Sequence, residues 1–419
     1  MMAVRVFVFG VLLSSMVPMS YGETPAPVSD AAHMRFVDGQ AAARRGDWTA
    51  AEAALRDAVQ QYDSLGPRPS AAELSGRVCA LNALASLFNT MGRKTEAEST
   101  ARRALREAEA PADTADTLVI LAGVLAGQGD TAEADRLATR ALKTFERTLG
   151  RDDPSVARAL NVLADVRVAQ GTLDDADVLL RRAESLAERG GSKAAQAAVA
   201  GRRGLLRLAT GRYADAEPRL EQSLELAESS FGPDHPALVP VLQALGDCYR
   251  LRNRPAEAQG LYERALRLGE RHYGPSHAVL LPAFSGLAVV VERQGAEARA
   301  AFLYARTVEV ADARLDPRDA RRATYLAAFA GYHARHRAPN EAEALYVQAL
   351  AILDEAPRAT RAQREAVLEG LRDLYASAGR RAEAGRLDRR LKALAQPRPI
   401  PAAWAEGDAW AAEARMAAE

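Results

Sequence analysis

Residues 149–183 read LGRDDPSVARALNVLADVRVAQGTLDDADVLLRRA, and residues 231–266 read FGPDHPALVPVLQALGDCYRLRNRPAEAQGLYERAL. In the first stretch Leu160, Leu163 and Ala164 precede Gly171, and Ala176, Leu180 and Ala183 follow it. Apolar residues at helical spacing on both sides of a glycine break predict two amphipathic helices joined by a tight turn. The small residues at Ala164, Ala176 and Ala183 let those helices approach closely.

Working outward from Ala176, nine alanines occupy the same point of one frame: Ala51, Ala97, Ala134, Ala176, Ala216, Ala258, Ala300, Ala342 and Ala384. Their spacings are 46, 37, 42, 40, 42, 42, 42 and 42 residues. One hairpin cannot bury its apolar stripe alone, so a steady period predicts a stacked array whose core grows with each copy. A turn glycine lies five residues before most anchors, from Gly46 to Gly379, with Asn253 and Arg337 standing in its place in two repeats. Twelve residues before the anchor the residue is small, from Gly39 to Ala330, until Arg372 interrupts the series. Gly150, Gly190, Gly232 and Gly274 mark the joints between repeats as helix ends where the chain turns left-handed. Asp153 and Asp319 are expected N-caps, His235 and His277 joint residues, and Ser70 with Glu73 a capping box. Pro240 and Pro282 fall in first turns, so those helices either start late or bend.

This pattern resembles the tetratricopeptide repeat, a stacked helical hairpin, in a variant longer than the usual ~34 residues. The FGPDHP joint, the LN or LQ pair before a small residue, and the AEP of Ala216 to Pro218 resemble the kinesin-light-chain subtype. The resemblance spans roughly residues 30–395. It implies an all-α, right-handed superhelical solenoid of about nine hairpins, with the first helix of each pair lining the concave side. The domain reading is a signal peptide at 1–22, a short linker at 23–30, a continuous solenoid at 31–395 and a tail at 396–419.

Composition narrows the function. Equal numbers of basic and acidic residues, 55 each, argue against nucleic acid, which calls for a basic stripe or patch. Arg5, the apolar run Val6–Val17 and the small residues around Ser20-Tyr21-Gly22 form a secretory leader with cleavage expected after Gly22. The expected product is periplasmic or extracellular, with no membrane span. Cys79 and Cys248 fall on first helices four repeats apart, beyond the roughly 7 Å a bridge allows. The tail carries Trp404 and Trp410 after three prolines, and either caps the last hairpin or docks elsewhere.

The chain has no nucleophile elbow, phosphate loop or HExxH motif, and its two cysteines cannot build a zinc cluster. A non-catalytic interaction scaffold without cofactor or metal is therefore the expectation, with a peptide or small-ligand sensor as the alternative. Residues fifteen before the anchor should face the groove, and among them Asn82, Asn161 and Gln243 form a sparse amide ladder. Amides both donate to and accept from an extended peptide backbone. Asn89, Arg158, Asp165, Asp247, Arg250 and Arg293 extend the same lining. The resemblance supports this use, since groove asparagines contact cargo peptides in the kinesin-light-chain subtype. A second role is open to Asn82 and Asn161, that of bridging neighbouring first helices.

Overall fold

The computed structural model describes residues 30–65, 69–356 and 359–395. Among them every element is helical. The hairpins are α1 (Asp30–Arg44) with α2 (Trp48–Asp63), α3 (Ala71–Thr90) with α4 (Lys94–Glu107), α5 (Pro111–Gln128) with α6 (Thr131–Thr148), and α7 (Val156–Gln170) with α8 (Leu173–Arg189). They continue as α9 (Lys193–Ala209) with α10 (Tyr213–Phe231), α11 (Leu238–Leu251) with α12 (Pro255–Tyr273), and α13 (Leu281–Arg293) with α14 (Glu297–Arg314). The last two are α15 (Ala320–Arg335) with α16 (Pro339–Glu355), and α17 (Arg361–Ser377) with α18 (Arg381–Ala395). The hairpins fall into two compact units, divided after Leu315, a boundary the sequence reading did not draw. The leader and the Trp-bearing tail lie outside the described residues.

Each anchor alanine from Ala51 to Ala342 is fully buried. Its neighbourhood explains the small residue twelve places earlier. A Cβ on Gly204 would stand 2.6 Å from the Leu220 side chain, and one on Gly246 would stand 2.8 Å from Tyr262. Glycine lets a large side chain of the second helix, four residues after the anchor, press against the first-helix backbone. In the last hairpin the same two places hold Arg372 and Asp388, 3.7 Å apart as an ion pair. The break in the small-residue series is thus a substitution of charge for packing.

The turns obey the expected handedness. Gly171 closes α7 at φ 83, and Asn253 and Arg337 adopt φ 58 and φ 59. Arg337 therefore keeps the turn that its side chain disfavours. At the joints Gly150, Gly232 and Gly274 have positive φ, the latter two with extended ψ of 160 and 162, whereas Gly190 does not and Gly191 takes the positive φ instead. Asp319 caps α15 as expected, while Asp153 binds the Ser155 amide at 2.8 Å within the turn before α7. The capping box of Ser70 and Glu73 is formed. Pro282 is accommodated by a late start, because a 3-10 turn at Ala278–Leu280 precedes α13. Pro240 is the third residue of α11, where no intrahelical donor is needed.

Within the unit ending at Leu315, successive first helices touch one another, whereas successive second helices make at most marginal contact. Closer spacing on one side of a stack bends it toward that side, so the first helices form the inner layer. The bend is strong enough for the unit to meet itself. The α1–α2 turn packs on the joint before α11, where a Cβ on Gly46 would collide with Pro236 at 2.6 Å. Trp48 stacks on Tyr273 with ring centroids 5.8 Å apart and meets His235 edge-on at 6.2 Å. The α3–α4 turn packs on the next joint, where His277 Nε2 meets the Met91 carbonyl oxygen at 2.8 Å.

Candidate functional site

The inner layer carries a strip of polar side chains, each placed by its repeat register. On α3, Asn82 is buried and donates from Nδ2 to Thr117 Oγ1 on α5 at 2.9 Å. Arg158 on α7 pairs with Asp116 on α5. Asp165, one turn beyond Asn161 on α7, accepts from Arg202 on α9 through Nε at 3.0 Å and Nη2 at 3.0 Å. Gln243 on α11 donates from Nε2 to the Val279 carbonyl at 2.6 Å. That carbonyl lies three residues before Pro282, whose nitrogen has no proton to offer a 3-10 bond. Asp247 accepts from Arg250 Nη2 at 2.8 Å and from the hydroxyl of Tyr262 on α12 at 2.7 Å.

Four of the nine residues expected to face the groove therefore tie one first helix to the next or to the turn that precedes it. Asn82 takes the bridging role. Arg158, Asp165 and Gln243 bridge in the same way, and Asp247 and Arg250 are pinned within their own hairpin. Asn161 differs: it is buried with its Oδ1 unmatched by any donor, as is Oδ1 of Asn82 and of the half-buried Asn89. Buried amide carbonyls almost always find a donor, so three on one inner strip are a distinctive feature. Arg293 is exposed at the end of α13. It shares a cleft of about 130 Å³ with Arg250, Asn253 and Val290, between the sixth and seventh hairpins.

The electrostatics follow from burial. Desolvation raises the Asp116 carboxyl pKa against the opposing pull of Arg158, and it raises Asp165 against that of Arg202. Asp113 is raised by burial too, with Asp116 adding to it. Burial likewise pushes the Cys79 thiol upward, so it is no nucleophile at neutral pH. Among the described residues no group of three His, Cys, Asp or Glu side chains is arranged to hold a metal, and no helix is long and apolar enough to cross a membrane.

Sequence reasoning missed Asp116, Arg202, Thr117 and Tyr262. The signal was present in part: Asp116 and Arg158 stand 42 residues apart, one full period, with opposite charge.

The profile of the tetratricopeptide repeat matches residues 113–189 and 195–271, the stretch that builds most of this strip. The chain is a tetratricopeptide-repeat protein. Its helical array is similar to that of a Rap protein complexed with competence and sporulation factor, with TM-score 0.64 and 15% identity over 87% of this chain and 97% of that one. It is also similar to the apo quorum sensor NprR of B. thuringiensis, with TM-score 0.59 and 12% identity over 87% of this chain and 98% of that one. A kinesin-light-chain-like repeat protein of Podospora anserina matches at 21% identity over 46% of this chain and 92% of that one, with TM-score 0.39. No curated protein matches the chain. Repeats of this kind typically form scaffolds, and no catalytic family is indicated.

Proposed function

We propose that this tetratricopeptide-repeat protein is a non-catalytic, exported scaffold that holds an extended segment of a partner protein against its inner first-helix strip. The observation that carries this reading is the set of unmatched side-chain carbonyls on Asn82, Asn89 and Asn161. These oxygens are covered as the array stands, and turning the Asn89 and Asn161 side chains outward would let them accept the N–H groups of an extended peptide. Export rests on Arg5 and the apolar run after it, and intact mass of the secreted chain should place the new N-terminus at Glu23.

The test is affinity capture from a cell-envelope extract with residues 23–419 as bait, beside an Asn89→Ala/Asn161→Ala variant of matched helicity. A protein kept by the first bait and lost by the second supports the strip. A protein kept equally by both removes these asparagines from the contact.

A second reading is a sensor for a free peptide or small anion, favoured by the cleft that brings Arg250 and Arg293 together. Thermal shift with carboxylate-ended peptides, compared in Arg293→Ala, separates the two.

A further inference from the structure

An arginine recurs six residues after the anchor alanine, as Arg103, Arg140, Arg182, Arg264, Arg306 and Arg390. Five of them are held by the preceding second helix or the joint that follows it. Arg103 meets Asp63 at 2.6 Å and Arg390 meets Asp354 at 3.0 Å. Arg182 meets Glu146 at 2.6 Å and donates to the Arg151 carbonyl at 2.9 Å. Arg264 meets Glu228 at 2.6 Å and donates to the Pro233 carbonyl at 2.8 Å. Arg306 donates to the Pro275 carbonyl at 3.0 Å.

Arg140 has no such partner among the described residues, and the spacing of the repeats explains why. Only 37 residues separate Ala97 from Ala134, so the joint between α4 and α5 shrinks to residues 108–110, against 149–155 between α6 and α7. The carboxylate in the register that serves the other arginines is Glu109, which falls beyond the end of α4 and is exposed. The joint between α8 and α9 is equally short, but the matching residue there is Gln222, which carries no charge.

The missing joint leaves a groove of about 790 Å³ between the start of α5, at Pro111 and Thr114, and one face of α6. Arg136, Arg140, Lys143 and Arg147 line that face, all exposed, and none is ion-paired to a described residue. Two carboxylates also border the groove, of which Asp135 is already held by Arg167 at 3.0 Å.

We propose that this groove docks an extended acidic segment of a partner protein. Two of the molecule's other repeats, at Arg182 and Arg264, show the chemistry that satisfies such an arginine most fully, a carboxylate together with a main-chain carbonyl. An extended acidic peptide presents both. A bare polyanion presents only charge and meets Glu109 at the rim. The site is separate from the inner strip and does not depend on it.

The test is fluorescence anisotropy on the full chain with a fluorescein-labelled peptide of alternating Glu and Gly. Comparison ligands are the Gln-Gly peptide and a single-stranded oligonucleotide of equal charge. The acidic peptide should bind, with affinity about tenfold weaker in Arg140→Glu/Lys143→Glu. The Gln-Gly peptide and the oligonucleotide should bind far less well. A second variant, in which residues 108–110 are replaced by the seven-residue joint 149–155, leaves α6 untouched and should also lose the peptide. Absence of peptide binding, binding undiminished in either variant, or an oligonucleotide bound as tightly as the peptide overturns the proposal.

Discussion

His277 donates from Nε2 to the carbonyl oxygen of Met91, 186 residues earlier in the chain, at 2.8 Å. Its other nitrogen, Nδ1, accepts the Val279 amide at 3.1 Å. The two bonds together require the neutral ring with its proton on Nε2. One side chain thus caps its own joint and fastens that joint to the turn of the second hairpin. His235 repeats the capping half of this arrangement, accepting the Ala237 amide at Nδ1 at 3.1 Å while packing against Trp48.

Acidification should loosen this closure. Burial lowers the His235 pKa from 6.5 to about 4, with the nearby His272 adding to it, and burial lowers His277 as well. Above pH 6.5 both released and packed rings are neutral, so pH has no effect through them. Between 6.5 and about 4 the released His235 ring takes a proton that the packed ring refuses. The contact weakens as pH falls through that window, by about 3 kcal/mol in all, and the loss levels off below it. Hydrogen exchange across residues 41–48 reads this directly. Exchange in His235→Asn should depend less on pH, because Asn keeps an acceptor and does not titrate.

Gly204→Ala should destabilise the unit ending at Leu315 by about 1–3 kcal/mol, because its Cβ would fall 2.6 Å from Leu220. Gly260→Ala, on the second helix α12, is the control, with nothing within 4 Å of the new Cβ. It should be neutral or stabilising by up to about 1 kcal/mol. Urea denaturation of the pair separates close approach from helix propensity.

Arg337→Gly should raise the midpoint of thermal unfolding of the last two hairpins. Arg337 sits at φ 59, a conformation that costs a non-glycine residue roughly 1–2 kcal/mol. An unchanged or lower midpoint would show that the Arg337 side chain repays that strain.

Arg202→Met should cost about 2–3 kcal/mol, since it strands the Asp165 carboxylate on the inner strip. Adding Asp165→Leu should recover a large part of the loss. Equal loss in the single and double variants would mean that the guanidinium acts through packing alone.

The hairpins were legible because everything that makes one is local. The apolar stripe, the left-handed turn residue and the small residue facing Leu220 or Tyr262 all lie within one period of each other. The strip was legible in place but less so in role. Counting from the anchor put Asn82, Asp165 and Gln243 on the right helices, yet gave no view of Thr117, Arg202 or Val279 across the interface. Register says which face a residue takes. Whether that face meets solvent or a neighbour depends on how far the next helix leans.

The sequence by itself determined the repeat, its turns and the order of nine hairpins, because stacking needs only nearest-neighbour complementarity. Tertiary structure alone decided that the unit closes on itself through Trp48, His235 and His277, and that the array divides after Leu315. Closure is the sum of small rotations added at every joint, and no single repeat encodes that sum.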